Sequence, residues 1–281
     1  MKIIECPRDA MQGLHNFIPT ETKISYINDL LKVGFDTIDF GSFVSPKAIP
    51  QLRDTADVVK QLDLNNTKTK LLAIIANLRG AQDAVAYNQI TYLGFPFSVS
   101  ETFQKRNTNS TMAESLDTVK QIQDLCLQKS KQLVLYISMG FGNPYADKWN
   151  TDIVLHWVEK MIKMEIKIIS IADTVGVAAE KDIASIFKNL TQTFPDTEFG
   201  AHLHCRPDNW TSKVDAAFSN GCQRFDAAMK GFGGCPFAED DLVGNLATEN
   251  LLAFLHDKNI STGIDKALFN KVLLHASSVF A

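Results

Sequence analysis

Residues Ile166–Gly176 read IKIISIADTVG, an apolar run that ends in a short polar segment. Continuous apolar residues, as opposed to alternating ones, are typical of a strand that is covered on both faces of a parallel sheet. Working outward from this run in both directions, we find eight strand candidates in the chain. They are Lys2–Cys6, Thr37–Phe40, Lys70–Ile75, Ile90–Gly94, Leu133–Ser138, Ile166–Ala172, Glu198–His202 and Arg224–Ala228.

Segments with a helical spacing of apolar residues separate these strand candidates. Thr20–Val33 begins with a threonine that can cap a helix and is followed by Gly34, a residue type common just after a helix end. Ser45 and Pro46 predict the start of another helix, because proline is favoured at the first helical position. Further helices are predicted at Ser110–Lys129, Asn150–Met164, Ala179–Phe194, Asp208–Asn220, Leu246–Leu255 and Ile264–Phe280.

Eight strands, each followed by a helix, predict the α/β class and a (β/α)8 TIM barrel. We expect one domain over residues 1–281, with extra helices at the carboxyl end. A doubly wound sheet is the alternative, but it rarely needs eight evenly spaced units, and no glycine-rich fingerprint follows the first strand. The sequence shows no linker or low-complexity tract that would divide it.

The composition excludes several functional classes. Hydrophobic residues make up 45% of the chain and charged residues 21%, as is ordinary for a soluble globular protein. The formal net charge of −4 disfavours a general nucleic-acid binder, which is usually basic. The apolar runs fall short of the roughly 18 residues that a membrane span needs, and the first residues lack targeting features. We therefore predict a cytoplasmic protein that binds neither membranes nor nucleic acids.

Five cysteines are present, an odd number with no C-x-x-C pair. This pattern disfavours a disulfide scaffold or a zinc-thiolate site and predicts reduced thiols. One of them, Cys235, lies in the segment GFGGCPF, whose three glycines predict a mobile or tightly turned loop. Its thiol either approaches a site when the loop closes or is a buried small hydrophobe.

Functional side chains of a TIM barrel lie at the carboxyl ends of the strands. His202 and His204 lie at such an end, and residues two apart on a strand point to the same face. Both imidazoles are therefore predicted to face the barrel axis, where they can share a metal; one functional histidine beside a chance one is the alternative. Asp9 and Asn245 would add oxygen ligands. That mixed set suits Mg²⁺ or Mn²⁺, with Zn²⁺ also possible.

Charged residues follow three other strands. Arg8 and Asp9 come after the first strand, either as a structural ion pair or as a fixed cation for a substrate oxygen beside a metal ligand. Gln12, one turn later, is a weaker candidate for a hydrogen bond to substrate. Asp39 lies near the end of the second strand candidate and Asp173 directly follows the sixth. Either can hold a ligand in place or orient a metal ligand by hydrogen bonding to it.

These motifs, in this order, resemble the 3-hydroxy-3-methylglutaryl-CoA lyase family of the DRE-TIM metallolyase superfamily. The segments that carry the resemblance are CPRDAMQ, SFVSPK, DTVGV, the H-x-H pair, GFGGCPF and GNLATE. The resemblance runs from Ile3 to about Gly263. It implies a metal-dependent TIM barrel that cleaves 3-hydroxy-3-methylglutaryl-CoA to acetyl-CoA and acetoacetate. It also implies an acyl-CoA substrate, a homodimer and a role in leucine degradation.

The resemblance also implies roles for individual residues. Asp9, His202, His204 and Asn245 would be the metal ligands, and His202 or Asp9 would take a proton from the substrate. Arg8 would stabilise the departing enolate, with Gln12, Asp39 and Asp173 in the substrate pocket. Cys235 would deliver a proton or position the closing loop.

Three positions depart from the usual family pattern. Asp39 replaces a glutamate, Cys205 replaces an aspartate, and Gln12 is followed by Gly13 and Leu14 where the family has Gln-Asn-Glu. The loop between Cys235 and Asn245 is also one residue longer than is usual in the family and carries Glu239, Asp240 and Asp241. Asp39 and this acidic loop keep a second hypothesis open. It is a related metallolyase or aldolase that acts on a different 3-hydroxyacyl-CoA or hydroxy acid.

Overall fold

Eight parallel strands form a closed barrel in the computed structural model, which describes residues 1–234 and 243–280. The strands are β1 (Lys2–Glu5), β2 (Thr37–Ser42), β3 (Lys70–Ile74), β4 (Ile90–Ser98), β5 (Gln132–Ser138), β6 (Ile168–Asp173), β7 (Glu198–Cys205) and β8 (Arg224–Ala227). Each pairs with the next in the chain, and β1 pairs with both β2 and β8. The predicted (β/α)8 barrel is confirmed. The doubly wound alternative is wrong, because such a sheet would leave two edges unpaired.

The strand ends differ most from prediction at β4 and β7. β4 continues to Ser98 because it pairs with β5 as far as Ser138. β7 continues to Cys205 because a ninth strand, β9 (Gly244–Asn245), pairs with it in antiparallel fashion. That pairing sets His204 opposite Asn245. Both extensions depend on a neighbouring strand that the local sequence does not show.

Eleven α-helices lie in the described part of the chain. They are α1 (Pro7–Gln12), α2 (Thr20–Leu30), α3 (Thr55–Lys60), α4 (Leu78–Val85), α5 (Glu101–Thr108), α6 (Met112–Gln128), α7 (Thr151–Ile162), α8 (Glu180–Thr193), α9 (Trp210–Phe218), α10 (Thr248–Asp257) and α11 (Lys266–Val279). Short 3-10 helices occur at Pro50–Leu52 and Met229–Gly231. The sequence patterns did not indicate α1, α3, α4 or α5. In these residues no helix combines the length and apolarity that a membrane span requires.

The helix predicted to begin at Ser45 and Pro46 is wrong. The segment makes a single turn, in which the backbone N–H groups of Ala48 and Ile49 donate to the Ser45 carbonyl. Ile49 then has non-helical backbone angles, φ −131° and ψ 81°, because Pro50 follows it and a residue before proline avoids the helical region. The α-helix between β2 and β3 begins only at Thr55.

Two apolar clusters hold the barrel together. The larger packs the outer faces of the strands against the helices and includes the carboxyl-terminal helix α11, which contacts α2. The smaller fills the barrel interior with Leu72, Tyr92, Val134, Tyr136 and Ile168. Above this inner layer the lining of the barrel becomes polar, at the carboxyl ends of the strands.

Candidate active site

Asp9, His202 and His204 converge at the carboxyl end of the barrel. One potential ligand atom from each lies within 4.8 Å of the others. Asp9 reaches this place because β1 ends at Glu5 and α1 begins at once with Pro7 at its first position, which suits proline. The two histidines come from the end of β7, as their spacing predicted.

A neighbouring carboxylate orients His202. Its Nδ1 lies 3.1 Å from Oδ2 of Asp226 on β8, and its Nε2 lies 3.9 Å from Oδ2 of Asp9. Burial lowers the pKa of His202, but the hydrogen bond and charge of Asp226, together with Asp9, outweigh burial and raise it. Hydrogen-bonded partners of this kind fix which ring nitrogen is free to bind a metal. Sequence reasoning missed Asp226, although an acid inside the predicted strand RFDAA was an available signal.

The ring of His204 leaves one nitrogen free. Its Nδ1 donates to the Thr174 carbonyl at 2.9 Å, because a carbonyl can only accept. The buried Nε2 is therefore an acceptor, and it has no hydrogen-bond partner among the described residues. Burial and the neighbouring His202 lower the pKa of His204 to about 4, so the ring is neutral at neutral pH. A buried lone pair without a donor is the arrangement that a bound metal ion would satisfy.

Asn245 completes this group. Its Nδ2 donates to Asp9 Oδ2 at 2.7 Å and to the Phe232 carbonyl at 2.9 Å. Burial raises the pKa of Asp9, but Arg8, the two histidines and this amide outweigh burial and lower it to about 2. Asp9 is therefore an anion, and the imidazole rings of His202 and His204 lie beside it. The structure brings all four predicted metal ligands together, and their donor set fits a hard divalent cation.

Arg8 is held rigidly beside the same group. Its Nε and Nη2 both donate to Oδ2 of Asp39, at 3.0 and 2.6 Å. Its Nη1 donates to Asp9 Oδ1 and to Gln12 Oε1, each at 2.9 Å. These carboxylates outweigh burial and raise the pKa of Arg8 above its ordinary value, so the guanidinium stays charged. Gln12 also donates to Asp9, and it therefore belongs to this network.

Asp39 and Asp173 contact protein groups and do not line the cavity above the site. Burial raises the pKa of Asp39 to about 6, against the opposing effect of Arg8. Asp173 accepts from Lys213 Nζ through one oxygen, at 2.6 Å, and from the Ala178 backbone N–H through the other, at 3.0 Å. Cys205, where the family pattern has an aspartate, is buried, and burial raises the pKa of its thiol to about 12.

A cavity of about 180 Å³ opens directly over these polar groups. Arg8, Asp9, Gln12, His202 and His204 form its floor, and its remaining lining is mostly apolar. Residues that sequence reasoning did not select also line it, namely Val44, Ile49, Ile74, Phe103, Asn107, Thr108 and Tyr136. The tyrosine in the apolar run LVLYIS was an available signal. The cavity thus offers an apolar chamber with one cation and several potential ligands at its base.

Gly233, in the described part of the glycine-rich segment, packs closely against the site. Gly233 has φ +91°, and a Cβ there would lie 2.6 Å from the Asp9 carbonyl and 2.8 Å from Asn245 Nδ2. Only glycine combines this backbone conformation with so close an approach. Cys235 lies outside the described residues, so its predicted role stays a prediction.

A buried glutamate on β1 contacts Met229 and Thr248. Glu5 Oε1 accepts from the Met229 backbone N–H at 2.9 Å, and Glu5 Oε2 pairs with the Thr248 hydroxyl at 2.6 Å. Burial raises the pKa of Glu5 to about 8, so the carboxyl group is protonated at neutral pH. Met229 precedes the glycines and Thr248 follows Asn245. One side chain on β1 therefore contacts both the backbone of Met229 and the hydroxyl of Thr248.

This titration should be visible in the stability of the protein. The pKa of Glu5 rises from 4.5 to about 8 on folding, so its contribution is full below pH 4.5 and is lost as the pH rises to about 8. Each unit of pKa difference is worth about 1.4 kcal/mol, so a few kcal/mol are at stake. Glu5→Gln keeps both hydrogen bonds without titrating and should remove this pH dependence.

The measurement is the free energy of unfolding in urea at about pH 5 and about pH 8.5. Wild type should lose stability relative to Glu5→Gln as the pH rises. Exposed Glu21 provides the control, and Glu21→Gln should follow wild type at both values. Identical pH dependence in wild type and Glu5→Gln would contradict the assignment.

Comparison with known proteins places the chain in a family. The profile of the HMGL-like family matches residues 2–273. The chain belongs to the HMGL-like family. The resemblance seen in its motifs is therefore confirmed, and the match extends beyond them to nearly the whole chain.

Relatives within this family share the full length of the fold. A hydroxymethylglutaryl-CoA lyase of Bacillus subtilis is 32% identical over 258 residues, which cover 92% of this chain and 85% of the relative. The cytoplasmic 3-hydroxy-3-methylglutaryl-CoA lyase of Danio rerio is 31% identical over 268 residues. The alignment covers 94% of this chain and 78% of the relative. A solved HMG-CoA lyase from Acinetobacter baumannii, in complex with coenzyme A and 3-methylmalate, is 33% identical with a TM-score of 0.92. That alignment covers 100% of this chain and 91% of the other.

Proposed function

We propose that this protein is a carbon–carbon lyase that cleaves 3-hydroxy-3-methylglutaryl-CoA to acetyl-CoA and acetoacetate. The observation that carries the proposal is the convergence of Asp9, His202 and the free Nε2 of His204 beside Arg8, beneath an apolar cavity. Membership in the HMGL-like family and the names of its relatives support the choice of substrate.

Four residues would hold a divalent ion, for which we propose Mg²⁺ or Mn²⁺, with Zn²⁺ also possible. They are Asp9, His202, His204 and Asn245. When bound, the ion would gather the substrate's hydroxyl and carboxylate oxygens and make the hydroxyl more acidic. Asp226 and Thr174 prepare both rings for this role, because each occupies Nδ1 and leaves Nε2 directed at the site.

The reaction begins with loss of the substrate's tertiary hydroxyl proton. His202 is the stronger base of the two candidates, because the pKa of Asp9 is about 2 whereas that of His202 is raised. Since Asp226 occupies Nδ1, His202 would take the proton on Nε2, and only while that nitrogen is not bound to the ion. Asp226, at 3.1 Å from His202 Nδ1, stabilises the imidazolium that forms. The electron pair left on oxygen then becomes the ketone of acetoacetate as the carbon–carbon bond breaks.

Arg8 acts on the other product. The electrons of the broken bond pass into the thioester, and an enolate forms that carries negative charge only at this stage. The Arg8 guanidinium, fixed by Asp39, Asp9 and Gln12, is already aligned when that charge appears. A proton then returns to the enolate carbon. We propose Cys235 as its source or as part of the loop that closes over the site.

A second candidate function is cleavage of a different 3-hydroxyacyl-CoA or hydroxy acid by the same chemistry. The contacts of Asp39 and Asp173 favour it, because both carboxylates bond to protein side chains and neither lines the cavity. The residues that recognise the non-reacting part of the substrate would then differ from those that the resemblance implies.

One assay separates the two candidates. Purified protein with Mg²⁺ or Mn²⁺ is mixed with 3-hydroxy-3-methylglutaryl-CoA, and acetoacetate and acetyl-CoA are measured. We expect both products in equal amounts. A panel of other 3-hydroxyacyl-CoA thioesters provides the comparison. Cleavage of one of these, with no acetoacetate from the first substrate, would favour the second candidate and overturn the first.

We further propose that the protein is a cytoplasmic homodimer and acts in leucine degradation. The proposal is supported by family membership and by the cytoplasmic relative from Danio rerio. Sedimentation equilibrium tests the oligomeric state directly, and a mass near that of one 31.2 kDa chain would contradict the dimer.

A further inference from the structure

Lys213, on α9, is a buried lysine that contacts the backbone of the candidate metal ligand His204. Its Nζ donates to three oxygens, namely Asp173 Oδ2 at 2.6 Å, the Gly176 carbonyl at 2.9 Å and the His204 carbonyl at 3.0 Å. The lysine side chain is only 3% exposed and that of Asp173 only 1%. All three donors of the ammonium group are therefore used, and none is directed into the cavity.

These three contacts restrain His204 in two ways. The bond to the His204 carbonyl fixes its backbone at the end of β7. The bonds to Asp173 and Gly176 hold both ends of a tight turn, which is closed by the Gly176 N–H donating to the Asp173 carbonyl. Thr174 lies inside this turn, and its carbonyl accepts from His204 Nδ1 at 2.9 Å. Lys213 therefore sets both the position of His204 and the acceptor that orients its ring.

We propose that Lys213 is a positioning residue that keeps His204 Nε2 directed at the metal site. The inference rests on the proposed metal site and extends it to a residue outside the cavity. A lysine suits this task because its ammonium nitrogen carries three N–H donors, and three acceptor oxygens lie around Lys213 Nζ. Asp173 balances its charge, so the pair adds no net charge beside the metal ligands.

Because Lys213 and Asp173 carry opposite charges, the effect of Lys213 on the position of His204 can be tested separately from the effect of its charge. Lys213→Met alone leaves Asp173 as a buried, unpaired carboxylate, which is expected to destabilise the fold. Lys213→Met combined with Asp173→Asn removes both charges together and should recover most of the thermal stability. It still leaves the carbonyls of Gly176 and His204 without their donor, so the restraint on His204 stays lost.

The test is Mn²⁺ binding to metal-free protein, followed through the electron paramagnetic resonance signal of free Mn²⁺. The double variant should fold, as judged by circular dichroism and melting temperature, but bind Mn²⁺ roughly 10-fold or more weakly than wild type. The second buried Lys–Asp pair provides a matched control. Lys23 Nζ donates to Asp54 at 2.7 Å and to the Gln51 carbonyl, and neither residue is a candidate ligand, so Lys23→Met with Asp54→Asn should leave Mn²⁺ affinity unchanged.

Two results would overturn the inference, and they are distinguishable. Equal Mn²⁺ affinity in wild type and the folded Lys213 double variant would show that Lys213 does not position His204, while the metal site itself would stand. Absence of Mn²⁺ binding by wild type would overturn the metal site proposed above, and the role of Lys213 with it.

Discussion

Replacing Arg8 with methionine should lower kcat for cleavage by roughly 10³-fold, with a KM that changes only a few-fold. Enolate charge develops only as the carbon–carbon bond breaks, so a cation that meets it there acts on the transition state and not on the bound substrate. The guanidinium is already held by Asp39 and Asp9, and it therefore needs no reorganisation during the reaction. Steady-state kinetics with the preferred acyl-CoA measures both constants.

The stability of this variant needs its own control. Arg8 is the ion-pair partner of Asp39, whose side chain is 1% exposed, and removing one partner of such a pair leaves a buried charge. Arg8→Met combined with Asp39→Asn removes both charges of that pair but still leaves the buried Asp9 carboxylate without Arg8, so it should recover part of the melting temperature that Arg8→Met loses. We expect the same loss of turnover in this double variant. A stable double variant with turnover within 10-fold of wild type would contradict the role of Arg8.

The second large effect concerns the metal. We expect wild type to retain about one divalent ion per chain after dialysis, and His204→Ala to bind it at least about 100-fold more weakly. The reason is that Nε2 of His204 is a buried acceptor without a donor among the described residues, so binding costs this group no existing hydrogen bond. Elemental analysis and titration of metal-free protein measure both quantities.

An exposed histidine provides the control for metal binding by a histidine outside the site. His256 has a side chain that is 71% exposed and lies on α10, and His256→Ala should bind metal as wild type does. Turnover of wild type should also fall to background in excess chelator and return when Mg²⁺ or Mn²⁺ is added. A chelator-insensitive wild type with no bound ion would contradict the metal site.

Much of the site was readable from short stretches of sequence. The H-x-H spacing fixed the common direction of His202 and His204, because a strand repeats every two residues. The glycines around Gly233 predicted a mobile or tightly turned loop, and in the structure Gly233 has a positive φ and lies close to the Asp9 carbonyl. Four predicted ligands separated by up to 236 positions in the chain came together, because each was placed at the same end of a closed barrel.

Other parts of the site had no local signal. No motif marked Lys213 within the predicted helix Asp208–Asn220, and its burial depends on the Asp173–Gly176 turn of a different βα unit. The helix predicted from Ser45 and Pro46 failed because Pro50, four residues further on, disfavours helical angles at Ile49. The helix α1 that carries Arg8 and Asp9 was too short for periodicity to reveal.

The sequence by itself determined the eight strands, the barrel and the residue types of the metal group. Apolar period and spacing are local properties, and they follow from which side chains a strand can bury. Only the tertiary structure decided what each polar group contacts. It turned Asp39 toward Arg8 and Asp173 toward Lys213, and it left His204 Nε2 free beside Asp9. Hydrogen bonds reach about 3 Å, so they are settled only when distant strands and helices have been brought within that distance.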